Sequence, residues 1–86
     1  MERNVLIARI INFCFTYNVV NDESIEVSEL TNVIEKMLEE AYFLESLINT
    51  IIIASKKHSG IDIEEVKTLL IELEKIRLEL EYSHVS

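Results

Sequence analysis

Proline is absent from the 86 residues, and glycine occurs once, at Gly60. With no proline, no stretch is barred from a helix interior. A single glycine leaves no Gly-rich loop to cradle a phosphate or a dinucleotide. Cysteine is also single, at Cys14, which excludes an intramolecular disulfide and a cysteine-based zinc site and fits a reducing compartment. Basic side chains are scarce: eight Lys and Arg against sixteen Asp and Glu give a net charge of −8. Phosphates need a basic face, so direct contact with nucleic acid or with an anionic membrane is disfavoured. No apolar run reaches the roughly eighteen residues of a membrane span. Glu2, Arg3 and Arg9 also break the plan of a secretory leader, so the expected location is cytoplasmic.

What the chain does have is apolar side chains, 49% of the total. That composition, with almost no helix breakers, points to packed helices in one domain spanning residues 1–86. A chain this short hides only somewhat over half of its unfolded surface. More apolar surface is present than three helices of one copy easily cover, so a homo-oligomer is expected, with a dimer favoured.

The organising stretch is residues 28–57. Leu30, Ile34, Met37, Ala41, Leu44, Ile48 and Ile51 recur at alternating steps of four and three, which draws one apolar stripe down a helix. The spacing predicts a single long central helix, capped by Asp22, Ser24 or Ser28, with Lys56 and Lys57 complementing its negative end. Such a helix outruns its partners, and a second subunit would complete it. Before it, residues 2–18 read as a very apolar helix with Leu6, Ile10, Phe13 and Tyr17 on one stripe, flanked by Ile7, Ile11 and Cys14. A helix apolar over so much of its circumference is contacted on two sides. The alternation of Phe13, Phe15, Tyr17 and Val19 supports a rival reading, a β-hairpin over residues 13–27 turning at Asn21–Ser24.

After Lys57, Gly60 stands where a helix C-terminus takes a left-handed residue. Asp62 is placed to cap the next helix, residues 62–82, whose Val66, Leu69, Leu73, Ile76 and Leu80 recur at steps of three and four. The short turn folds this helix back antiparallel on the long one, with fraying expected from Tyr82 onward. The fold class is therefore all-α: a helical hairpin plus an N-terminal apolar helix, resembling a three-helix bundle.

Catalytic signals are missing. There is no nucleophile elbow and no His-Glu-x-x-His pattern. His58 and His84 lie near helix or chain ends with nothing to bring them together, and Cys14 reads as a buried, inert thiol. Glu39-Glu40, Glu64-Glu65 and the set Glu72, Glu74, Glu79 and Glu81 fall mostly on polar faces. They lack the Glu-x-x-His spacing of di-metal bundles, so no metal and no cofactor is expected.

Two groups of residues remain. Arg77 falls inside the apolar stripe of the last helix, where an unpaired charge is costly. Glu74 or Glu81 can pair with it, and an interhelical or intersubunit ion pair is the preferred reading. Ile71, Leu78 and Tyr82 miss that stripe, as Tyr42, Phe43 and Ile53 miss the stripe of the long helix. Rows of apolar residues off the core stripe mark protein-binding faces unless another helix covers them.

The expected function is a small non-catalytic regulator, an inhibitor or adaptor that presents a helical face to another protein. One alternative is an acidic decoy that mimics nucleic acid in the basic site of a DNA- or RNA-binding protein. Another is a structural homo-oligomer. The richness in Ile, Asn, Glu and Lys fits an AT-rich bacterial or phage genome.

Overall fold

The computed structural model describes residues 1–20 and 24–85, which form four helices: α1 (Arg3–Thr16), α2 (Val27–Met37), α3 (Ala41–Lys57) and α4 (Ile63–Val85). No described residue is in a strand. The β-hairpin alternative fails at its first half, because α1 remains helical through Phe13 and Phe15 to Thr16. Its turn residues Asn21, Asp22 and Glu23 lie outside the described residues, as does Asp22 as a cap.

α1 buries Leu6, Ile10 and Phe13 of the expected stripe, together with Ile7, Ile11 and Cys14, whereas Tyr17 is only half-buried. It packs against α2 on one side and α4 on the other. Its end is set by Asn18, the one described non-glycine residue in the left-handed region, at φ 54°. The Val19 N–H then reaches back five residues to the Cys14 carbonyl at 2.9 Å. This is the long-range bond of a Schellman-type end, and asparagine tolerates its left-handed position. Tyr17, at the C-cap, packs its ring against Phe13 at 4.8 Å and against His58 at 5.4 Å. Its hydroxyl accepts a hydrogen bond from the Asp62 N–H at 3.1 Å, which ties the end of α1 to the turn before α4.

The single long helix does not form. It breaks at Leu38–Glu40 into α2 and α3: Leu38 keeps helical angles, the Glu39 N–H bonds to the Lys36 carbonyl, and Glu40 is extended at φ −133°, ψ 128°. Neither glycine nor proline causes the break, so packing must. One helix of thirty residues would run about 45 Å at 1.5 Å per residue, well past the fourteen-residue α1 it has to cover. Turning at residues 38–40 lets α2 lie on α1 while α3 lies on α4. The turn buries Leu38 completely, whereas Met37 of the expected stripe is only half-buried. Burial of tertiary surface outweighs a few helical hydrogen bonds. The start of α2 also differs from expectation. Its N-cap position is Glu26, with no side-chain cap bond, and neither Ser24 nor Ser28 occupies it.

α3 and α4 are joined by residues 58–62 and pack along each other. This packed pair of helices covers residues 41–85, where the sequence leads one to expect a hairpin over 28–82. Asp62 caps α4 as expected, its Oδ1 accepting from the Glu65 N–H at 3.2 Å. Gly60 does not act as a left-handed C-cap. No described glycine has positive φ, α3 ends on an extended His58 at φ −111°, and the space a Gly60 Cβ would fill is empty. α4 extends past Tyr82 to Val85.

α1 thus touches α2 and α4, and α3 touches the same two, around one core with no buried polar or charged residue among those described. Leu44, Leu47, Ile48, Ile51 and Ala54 of α3 meet Val66, Leu69, Leu73 and Ile76 of α4 in that core. Among the described residues no helix is long and apolar enough to cross a membrane.

Candidate protein-binding surface

α4 has three distinct sides. Its inner side, Val66, Leu69, Leu73 and Ile76, is buried. One flank faces α1, where Arg9 donates from Nε to Glu65 Oε1 at 2.9 Å and from Nη2 to the second carboxylate oxygen. That hydrogen-bonded carboxylate holds the Arg9 pKa above its ordinary value. The other flank carries Arg77, which contacts Glu74 Oε2 from Nη2 at 2.8 Å and from Nε at 3.1 Å, and Glu81 from Nη1 at 3.4 Å. Glu74 first, then Glu81 and Glu45 of α3, raise the Arg77 pKa. The arginine has its ion pair, but the partners belong to its own helix. Residues three and four apart already stand within reach on one helix, and no second helix is needed.

Opposite the core lies the outer side. Ile71 is 57% exposed, Leu78 49% and Tyr82 77%. At 3.6 residues per turn the three fall within roughly 40° of one another, so they form one stripe. It runs about 16 Å along the helix at 1.5 Å per residue. Among the described residues no helix packs over it.

The α3 candidates are also uncovered. Tyr42 is 75% exposed, Phe43 and Ile53 are exposed, and the Tyr42 and Phe43 rings meet edge-on at 5.6 Å. Tyr42 and Ile53 share a shallow depression with Glu45, Ser46, Asn49 and Thr50.

Sequence reasoning missed one feature, an open groove of about 500 Å³ between α1 and α2. Ile7, Ile11, Phe15 and Val27 give it an apolar floor and wall, with Asn4, Asn12, Thr31 and Glu35 at its rim. Phe15 lies off the α1 stripe, and Val27 stands just outside the helix expected over residues 28–57. Only the turn after α1 brings the two together.

Cys14 is buried, and burial pushes its thiol pKa up, which suppresses the thiolate a nucleophile needs. His58 sits at the C-cap of α3 against Tyr17. Among the described residues, no three His, Cys, Asp or Glu side chains are grouped to hold a metal ion. Most glutamates are solvated, as on α2 and the turns beside it, where Glu26, Glu29, Glu35, Glu39 and Glu40 are all exposed. No protein-family model matches the sequence, and comparisons with curated proteins and with solved structures find no significant relative.

Proposed function

We propose that this chain is a small, non-catalytic protein-binding regulator, an inhibitor or adaptor, that acts through the outer face of α4. One observation carries the reading: Ile71, Leu78 and Tyr82 share a stripe and stay about half or more exposed, while the opposite side of the same helix anchors the core. Burying an exposed Ile or Leu fully is worth about 1.5–3 kcal/mol, so completing the burial of these side chains rewards a partner. Aromatic anchors such as Tyr82 are the residues that carry interfaces. In this reading the four helices form a bundle whose inner surface is complete, and the working compartment is the cytoplasm.

The test is a paired capture. The tagged chain and an Ile71→Ser/Leu78→Ser variant are each incubated with lysate of the source cells and washed at low and at high salt. A protein retained by the first under both washes and lost by the second supports the reading. Retention that ignores the double substitution, or no retained protein, contradicts it.

A second reading rests on the charge around α2, where five exposed glutamates stand with Lys36 as the one base between residues 24 and 40. An acidic decoy for a nucleic-acid-binding protein would use that side. Its binding would weaken steeply as salt shortens the Debye length to about 8 Å at physiological ionic strength. Binding through the α4 stripe is much less sensitive to salt.

A further inference from the structure

We infer that the outer face of α4 docks on the same face of a second copy, the two α4 helices running antiparallel about a two-fold axis beside residues 74 and 75. The inference rests on the docking role proposed above and names the occupant.

A two-fold contact must be self-complementary: if one residue meets another, the second meets the first. In an antiparallel helix pair, facing residues lie at equal distances on either side of the axis. Ile71 and Leu78 are the exposed apolar residues of this stretch, and they flank residues 74 and 75 symmetrically. Each Ile71 therefore meets the partner's Leu78, and the contact is made twice. A two-fold axis also brings like edges of the stripe together. At 3.6 residues per turn Lys67 and Glu81 lie on the same edge of the stripe, at nearly equal distances from the axis. They pair across the interface, again twice.

Both charges have a partner on their own helix but stay exposed enough to reach across. Lys67 is 64% exposed, and its own-helix contact with Glu64 is long, at 3.8 Å. Glu81 is half-exposed and meets Arg77 at 3.4 Å, while the closer Arg77 contacts go to Glu74. The same register sets Tyr82 over the partner's Lys67, an aromatic face against a cationic stem. Like charges approach near the axis, but each already has a counter-ion on its own helix, Arg77 for Glu74 and Glu72 for Lys75.

The contact is one short helix pair, smaller than the ~1,200 Å² of a standard interface, so the dimer is weak and depends on concentration. Sedimentation equilibrium of the full chain over a wide concentration range reads it directly. The expected result is a monomer–dimer equilibrium that Ile71→Ser/Leu78→Ser abolishes while circular dichroism stays unchanged. Lys67→Glu weakens it roughly tenfold, through two lost pairs and two new repulsions. Adding Glu81→Lys to Lys67→Glu restores it. A dimer that ignores the double serine substitution, or one that the second charge reversal does not restore, overturns this geometry. A chain monomeric at every concentration overturns the second copy as occupant. It leaves the docking role of the face standing, because the capture comparison tests that separately.

Discussion

Arg9 of α1 and Glu65 of α4, 56 positions apart, form the ion pair that joins the first helix to the last, with Nε and Nη2 each donating to one carboxylate oxygen. Both side chains are partly exposed, so the pair fixes the placement of α1 more than it stabilises the fold. Arg9→Met and Glu65→Gln should each lower the urea midpoint modestly. The double variant should be less destabilised than the sum of the two, and the coupling should shrink at high salt. Strictly additive effects would show that the pair is not made in solution.

The break between α2 and α3 gives a sharper expectation. Leu38 is fully buried and Met37 is not. Leu38→Ala should cost about 2–5 kcal/mol, and Met37→Ala clearly less. In an unbroken helix with the stripe through Met37 and Ala41 the order would reverse. Denaturant unfolding of the two variants decides it.

Two backbone positions act in opposite ways. Asn18 holds positive φ, so Asn18→Val should destabilise by about 1 kcal/mol or more, and Asn18→Gly should be neutral or better. Gly60 does not hold positive φ and has open space at its Cβ, so Gly60→Ala should stabilise by about 0.4–1 kcal/mol. Thermal melts of the three variants check this. A strongly destabilised Gly60→Ala would contradict the extended exit from α3.

Cys14 offers a test by reactivity and by pH. Burial raises its thiol pKa in the folded chain, so a thiol reagent should modify it far more slowly in buffer than in denaturant. A raised folded pKa means that the folded state holds the proton more tightly. The associated stability is complete below the ordinary thiol range and falls as pH rises through it. The urea midpoint of the parent chain should therefore drop, relative to Cys14→Ala, across that range. An equal pH response in both chains would contradict it.

The legible parts of the fold were those where period and burial agree. In α1 and in the first half of α4 each stripe residue from Leu6 to Phe13 and from Val66 to Ile76 is buried as its spacing predicts. The break at residues 38–40 was hidden because the three-and-four spacing runs through Met37 and Ala41 without a fault. One signal was present: Leu30, Ile34 and Leu38 make a stripe of their own at steps of four, and it drifts off the longer one. The choice between the two stripes depends on the length of α1 and on the turn that follows it, which no local pattern encodes. Gly60 misled for the converse reason. Glycine permits left-handed backbone without requiring it, while the left-handed end went to Asn18.

The surface was legible where a single helix defines it. Ile71, Leu78 and Tyr82 follow from the register of α4 alone, and all three are exposed. The groove between α1 and α2 was not, because Phe15 and Val27 meet only through the fold. Arg77 meets Glu74 and Glu81, the two carboxylates within one turn, but it stands on a flank of α4 and not inside the stripe, and the pairs run along α4 and not between helices.

Photo-crosslinking in the source cells tests most directly whether α4 presents a docking face. A photoreactive phenylalanine replaces Tyr82, 77% exposed on α4, and in a separate chain replaces Val33, 50% exposed on α2. The docking reading predicts a discrete crosslinked protein, a second copy included, from position 82 and none from position 33. No product at 82, or the same products at both positions, would contradict it.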